Sequence, residues 1–131
     1  MVVSIISFGY LHGDAPAAEV VIDLRHHFRD PHVSPELRYL TAEDQAVRDA
    51  VWNTPGIQET VAAAAVMVRG FLSGPSAEGK QLRVATGCAG GRHRAASVAL
   101  ELQHALDQMG IDSEVTHRDL AKDVVERVVT S

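Results

Sequence analysis

The sequence predicts an α/β fold, a mostly parallel four-stranded sheet flanked by helices, built as one domain over residues 1–131. Three observations carry the prediction. Short apolar runs alternate with segments of helical period. The first three runs are apolar on consecutive positions, as strands covered on both faces tend to be. A chain of 131 residues, 46% hydrophobic and 22% charged, can bury one core but not two.

The strand candidates are Val2–Ile6, Glu19–Asp23, Leu82–Thr86 and Ser113–His117. Between the second and third, Thr41 reads as an N-cap with Glu43 and Asp44 in the first turn and Val47, Val51 and Trp52 on one side. Thr54-Pro55 reads as the cap and first residue of a second helix, whose Ile57, Val61, Ala64, Val68 and Phe71 recur at helical spacing until Gly70 and Ser73-Gly74-Pro75-Ser76 end it. A third helix, from about His93 to Met109, carries Ala95, Val98, Leu102, Leu106 and Met109 on one stripe and stops at Gly110. A fourth is expected from Asp119, with Leu120, Val124 and Val128 inward. Only about eleven residues separate Ile6 from the second strand, near the lower limit for a parallel crossover, so an antiparallel second strand stays open.

Composition narrows the function classes. The single cysteine, Cys88, allows no disulfide within the chain and no thiolate zinc cluster, and a reducing, cytoplasmic setting is the simplest expectation. No apolar run approaches the length that spans a bilayer, and Met1–Ile6 lacks the features of a secretory signal, so no membrane association is expected. The histidines form no tight pair with acidic partners, so no metal and no cofactor are expected. A net charge of −5 is unfavourable for gripping nucleic acid, although a local basic patch can survive it.

The most informative stretch is Gly87-Cys88-Ala89-Gly90-Gly91-Arg92-His93-Arg94, between the third strand and the third helix. Its glycines let backbone N–H groups approach a ligand closely, and the helix start adds partial positive charge. Arg92 and Arg94 place two cations at the positive end of a helix, which costs stability unless an anion neutralises them. A phosphate is the expected guest, with the Gly87–His93 amides around it, Arg94 pairing it bidentately and Arg92 a second candidate for that pairing. If all four strands run parallel, the residues after each strand share one rim: Ser7 after the first, Asp23 and Arg25 after the second, His117 and Arg118 after the fourth. Together with His32 and Arg38 they are the candidate pocket lining, with no catalytic residue assigned.

Cys88 and Arg94 also match the cysteine, five residues, arginine spacing of cysteine-dependent phosphatases, in which a thiolate attacks phosphorus. Ala95 stands where those enzymes carry a hydroxyl residue, and Gly87 where they carry a histidine. An inert small residue in a tight loop is the better-supported reading.

Several pieces together resemble the C-terminal domain of the RapZ family, the RNase adapter proteins. They are Ser7-Phe8-Gly9-Tyr10, Asp23-Leu24-Arg25, Pro31-His32, Pro35-Glu36-Leu37-Arg38, Leu40-Thr41 with Asp44, the glycine-rich loop and His117-Arg118-Asp119-Leu120. The resemblance implies a phosphofructokinase-like subdomain that binds a phosphorylated small molecule, a sugar phosphate or nucleotide, and acts as a sensor or adapter. RNA binding is the alternative it implies. Family members usually carry a P-loop domain ahead of this one; the chain is expected to stand without it, so nucleotide hydrolysis is not carried over and a separate P-loop protein becomes a candidate partner, as does a second copy of the chain. Departures are Ala89 and Ala95 in place of hydroxyl residues, and a tail at Val124–Ser131 with one basic residue where RNA-binding members have many.

Overall fold

Four strands and three helices alternate in the computed structural model, which describes residues 2–125. The strands are β1 (Val3–Gly9), β2 (Val20–Asp23), β3 (Leu82–Cys88) and β4 (Ser113–His117). They pair in the order β2-β3-β1-β4, and every pairing is parallel. The short first connection works because β2 starts high in the sheet. Val20 lies beside Val84, while β1 ends beside Cys88, so residues 10–19 descend only four positions, about 13 Å. No helix is needed for that return, and the antiparallel alternative falls.

Helices α1 (Gln45–Trp52) and α2 (Ile57–Leu72) join β2 to β3, and α3 (Arg94–Gln108) joins β3 to β4. Both crossovers step across the sheet in the same direction, so right-handed connections put their helices on one face. There α3 lies over β1, β3 and β4, with α2 beside it. Val3, Ile5, Leu82 and Val84 of the sheet meet Ala64, Ala65 and Val68 of α2 and Ala99, Leu102 and Leu106 of α3. A second cluster nearer the strand tips joins Leu24, Val47, Val51, Ile57, Val61, Cys88, Ala95 and Val98.

Element boundaries differ from the expected ones for local reasons. Both central strands run further, so Ser7, Gly87 and Cys88 lie within strands. α1 begins at Gln45, because Thr41 closes a turn instead: its Oγ1 accepts from the Glu43 N–H at 3.2 Å, and Asp44 Oδ2 accepts from the Thr41 N–H at 3.1 Å. Thr54 donates back to the Ala50 carbonyl at 2.8 Å, and Gly56, at φ +94°, leads into α2. That helix continues through Gly70 to Leu72. The fourth helix does not form over residues 119–125, where the chain makes a turn closed by Lys122 N–H to the Asp119 carbonyl at 3.1 Å. Val128 of that expected helix lies outside the described residues.

Candidate functional site at the strand tips

Parallel pairing brings the carboxyl ends of all four strands to one rim, beside the N-terminus of α3. Gly9 packs closely against Gly90 and Gly91. Gly91 sits at φ +79°, and a Cβ there would lie 2.8 Å from Gly9 N and 3.0 Å from Asp119 Cβ. This fixes the glycine-rich loop against the end of β1. The Leu11 N–H adds a bond to the Ala89 carbonyl at 3.0 Å, and the Ala42 N–H one to the Arg92 carbonyl at 2.9 Å.

Within the loop, Cys88 is buried and its Sγ accepts from the Gly91 N–H at 3.3 Å and the Ala95 N–H at 3.4 Å. The thiol thus takes one of the N–H groups that the sequence assigned to a ligand, that of Gly91. His93 is also buried. Its Nε2 faces two carbonyl oxygens, Leu40 at 2.8 Å and Leu37 at 3.0 Å, so it carries the proton and donates. Burial pushes the His93 pKa below its ordinary value, outweighing the two carbonyls and the nearby Asp30 carboxylate, which favour the charged form.

Arg94 is 3% exposed. Its Nη1 donates to the carbonyls of Leu24 at 2.9 Å, Arg25 at 2.9 Å and Phe28 at 3.2 Å, and its Nη2 pairs with Asp30 Oδ2 at 3.1 Å. The fork expected to face a phosphate therefore holds the chain that leaves β2. Arg92 donates to the carbonyls of Lys122 at 2.7 Å and Tyr39 at 2.9 Å, and among the described residues it has no ion pair. The Nε atoms of both arginines are buried without a hydrogen-bond partner among the described residues.

The other candidates lie around this centre. Ser7, buried at the end of β1, has its Oγ 2.6 Å from His117 Nδ1 on β4. Burial depresses the His117 pKa, and Glu43 acts in the opposite direction. Asp23 pairs with Arg25, Nη2 to Oδ2 at 2.8 Å, which holds its carboxyl down at about 2 despite partial burial. Arg25 in turn stacks 3.5 Å above the Tyr10 ring. Arg118 donates to the carbonyls of Gly9, Gly13 and Asp14 and to Asp119. Asp119 is fully buried; burial raises its pKa, but Arg118, the Gly9 N–H at 2.7 Å and Lys122 outweigh that and hold it at about 2. Arg38 donates from Nε to the His32 carbonyl at 2.9 Å.

A small cavity of about 20 Å³ gathers His32, Cys88, Gly90, Arg92, His93 and Arg94 together with Leu11, Asp30, Val124 and Val125. Ser7, Asp23, Arg25, Arg38, His117 and Arg118 do not line it. Sequence reasoning missed Asp30, although an aspartate ahead of proline signals a turn: its Oδ1 accepts from the His32 N–H at 2.9 Å at the start of Pro31–Val33. Among the described residues no group of three or more His, Cys, Asp or Glu is placed to hold a metal ion, and no helix is long and apolar enough to cross a membrane.

Fold and site together define an α/β domain with a basic, glycine-rich rim on a parallel sheet. Residues 1–121 match the family model described as the RapZ C-terminal domain, and the chain belongs to that family. It is 37% identical over 121 residues to a nucleotide-binding protein of Thermobifida fusca, covering 92% of this chain and 41% of that protein. It is 38% identical over 122 residues to a nucleotide-binding protein of a Nocardioides species, and 39% over 125 residues to one of Rubrobacter xylanophilus, covering 92% of this chain in both and 40% and 41% of those proteins. The chain thus spans about two fifths of the length of these curated relatives.

Proposed function

We propose that this domain binds a phosphorylated small molecule, a nucleotide or a sugar phosphate, at the start of α3, and that occupancy of the site is read by a partner. One observation carries the reading. Two guanidiniums, Arg92 and Arg94, crowd the positive end of a 15-residue helix; among the described residues each has a buried Nε lacking a partner, and Asp30 is the one carboxylate paired with either. An anion offsets both the excess charge and the unmet donors. Arg92 is the direct ligand and Arg94 the residue that shapes the wall. The relatives' printed name, nucleotide-binding protein, supports a ligand of this class.

The cavity as it stands holds about one water, so a phosphate gains access as Val124 and Val125 withdraw from it. The same geometry supports binding over turnover. Phosphoryl transfer to Cys88 needs an accessible thiolate and the Arg94 fork on one phosphate, and here the thiol is buried while the fork holds carbonyls and Asp30.

The test is a thermal-shift and calorimetric series with inorganic phosphate, a nucleoside triphosphate and a hexosamine phosphate. At least one raises the melting temperature of the wild type, and Arg92→Ala loses the shift while unfolding at nearly the wild-type temperature. Absence of any shift or heat with all three, at concentrations well above those of cellular metabolites, removes the proposal.

A further inference from the structure

The chain turns back over the rim just where the family match ends. Residues 1–121 carry that match, and Lys122 is the next residue. Lys122 is held at three points. Its N–H donates to the Asp119 carbonyl at 3.1 Å, its Nζ pairs with Asp119 Oδ1 at 2.7 Å, and its carbonyl accepts from Arg92 Nη1 at 2.7 Å. Asp119 itself is fully buried and fixed by the Gly9 N–H and Arg118, so it serves as the anchor. Beyond Lys122, the residues Asp123, Val124 and Val125 have no hydrogen bond or ion pair among the described residues. Val124 and Val125 are half-buried, and both line the cavity with Cys88, Gly90, Arg92 and His93. The valines thus keep their place through the hold on Lys122.

We propose that residues 122–125 are a strap that closes the empty site and is let go when an anion takes Arg92, so that the freed segment reports occupancy. This coupling rests on the reading of Arg92 as the phosphate ligand. An Nη1 turned to a phosphate oxygen leaves the Lys122 carbonyl, and the charged acceptor makes the stronger bond. Lys122 then hangs on Asp119 alone, through an ion pair whose lysine end is 47% exposed and screened by water. The cavity holds about one water, so a phosphate and the two valines exclude each other. Two states therefore compete for one guanidinium: Arg92 on Lys122 with the valines in, or Arg92 on the anion with the valines out. By linkage, anything that holds the segment away from the rim tightens ligand binding by the factor with which the ligand favours release.

Cys88, the chain's single cysteine, shares the cavity with the valines and is 2% exposed, so its alkylation by iodoacetamide measures strap opening without any ligand. In the full chain, Val124→Ser combined with Val125→Ser is expected to raise that rate at least about tenfold at an unchanged urea midpoint. A rate equal to the wild type, or one that rises only in step with a fallen midpoint, overturns the strap. The coupling is read with a lysine-specific protease, because Lys80 and Lys122 are the chain's two lysines. Inorganic phosphate, compared with chloride at equal ionic strength, is expected to speed the cut after Lys122 at least about threefold. Arg92→Ala is cut fast with or without phosphate. A cut unmoved by phosphate that calorimetry shows to be bound overturns the coupling. Absence of bound phosphate removes the underlying reading and the coupling with it, and the cysteine rate alone then decides the strap.

Discussion

Arg94 Nη2 lies 3.1 Å from Asp30 Oδ2, with both side chains largely out of water, and this ion pair ties the N-terminus of α3 to the connection between β2 and α1. The same guanidinium gathers the carbonyls of Leu24, Arg25 and Phe28. One residue therefore sets the wall of the cavity that Arg92 faces. Its removal takes from Asp30 its guanidinium partner and from three carbonyls a shared donor. Arg94→Ala is expected to lower unfolding stability by about 3–5 kcal/mol, measured by urea denaturation. A loss below about 1 kcal/mol would mean that the pair is no better than a surface one.

The approach of Gly91 to Gly9 gives a sharper contrast. Gly91→Ala must hold φ near +79° and place a Cβ 2.8 Å from Gly9 N, so it should cost at least about 2 kcal/mol. Gly90→Ala, one residue earlier, meets nothing within 4 Å and should leave the melting temperature nearly unchanged. Equal effects from the two variants would show that the loop is not fixed by this contact.

The strands were legible because Val3–Ile6, Val20–Ile22 and Leu82–Ala85 read as strands whatever their partners do, but their order in the sheet was not, and the common rim followed only if all four ran parallel. Roles of the cations were not legible. Arg94 and Arg92 look alike in sequence, yet one is held by carbonyls from residues 24–28 and the other by carbonyls from Tyr39 and Lys122. Those contacts span 30 to 70 positions, and no local pattern encodes them. Thr41 and Thr54 misled for a related reason: a threonine side chain satisfies a turn as readily as a helix start, and the turn was chosen by Asp44 and Ala50 nearby.

Asp119 makes the domain acid-sensitive in a defined window. Its folded pKa, about 2, lies below the ordinary carboxylate value, so the unfolded chain binds the proton first. Its contribution, about 2 kcal/mol, is present above about pH 4 and is lost as pH falls through 2. Asp119→Asn should flatten the wild-type decline in stability over that range, with the difference followed by chemical denaturation from neutral to strongly acidic pH.

His93 acts in a separate, higher window with the same sign. Its folded pKa is depressed by burial, so stability is full above about pH 6.5 and declines as pH drops towards the folded value. Protonation there is forced on a ring wedged between Leu37, Leu40 and Asp30. His93→Gln, which keeps a donor for the carbonyls, should remove this component of the pH dependence between pH 7 and 5. An unchanged profile would assign the decline to another group.

The cavity's size makes a prediction about the chain's own residues. Val124 and Val125 line a space of about 20 Å³ beside Arg92 and Gly90, and Arg92 Nη1 holds the Lys122 carbonyl just before them at 2.7 Å. If the segment fills the site more than about nine-tenths of the time, apparent affinity for phosphate is reduced about tenfold, and a chain ending at Asp123 should recover that factor. Titration calorimetry with inorganic phosphate on both chains measures it. Tighter binding by the shortened chain places Val124 and Val125 as competitors of the ligand, whereas weaker binding makes them part of the wall that grips it.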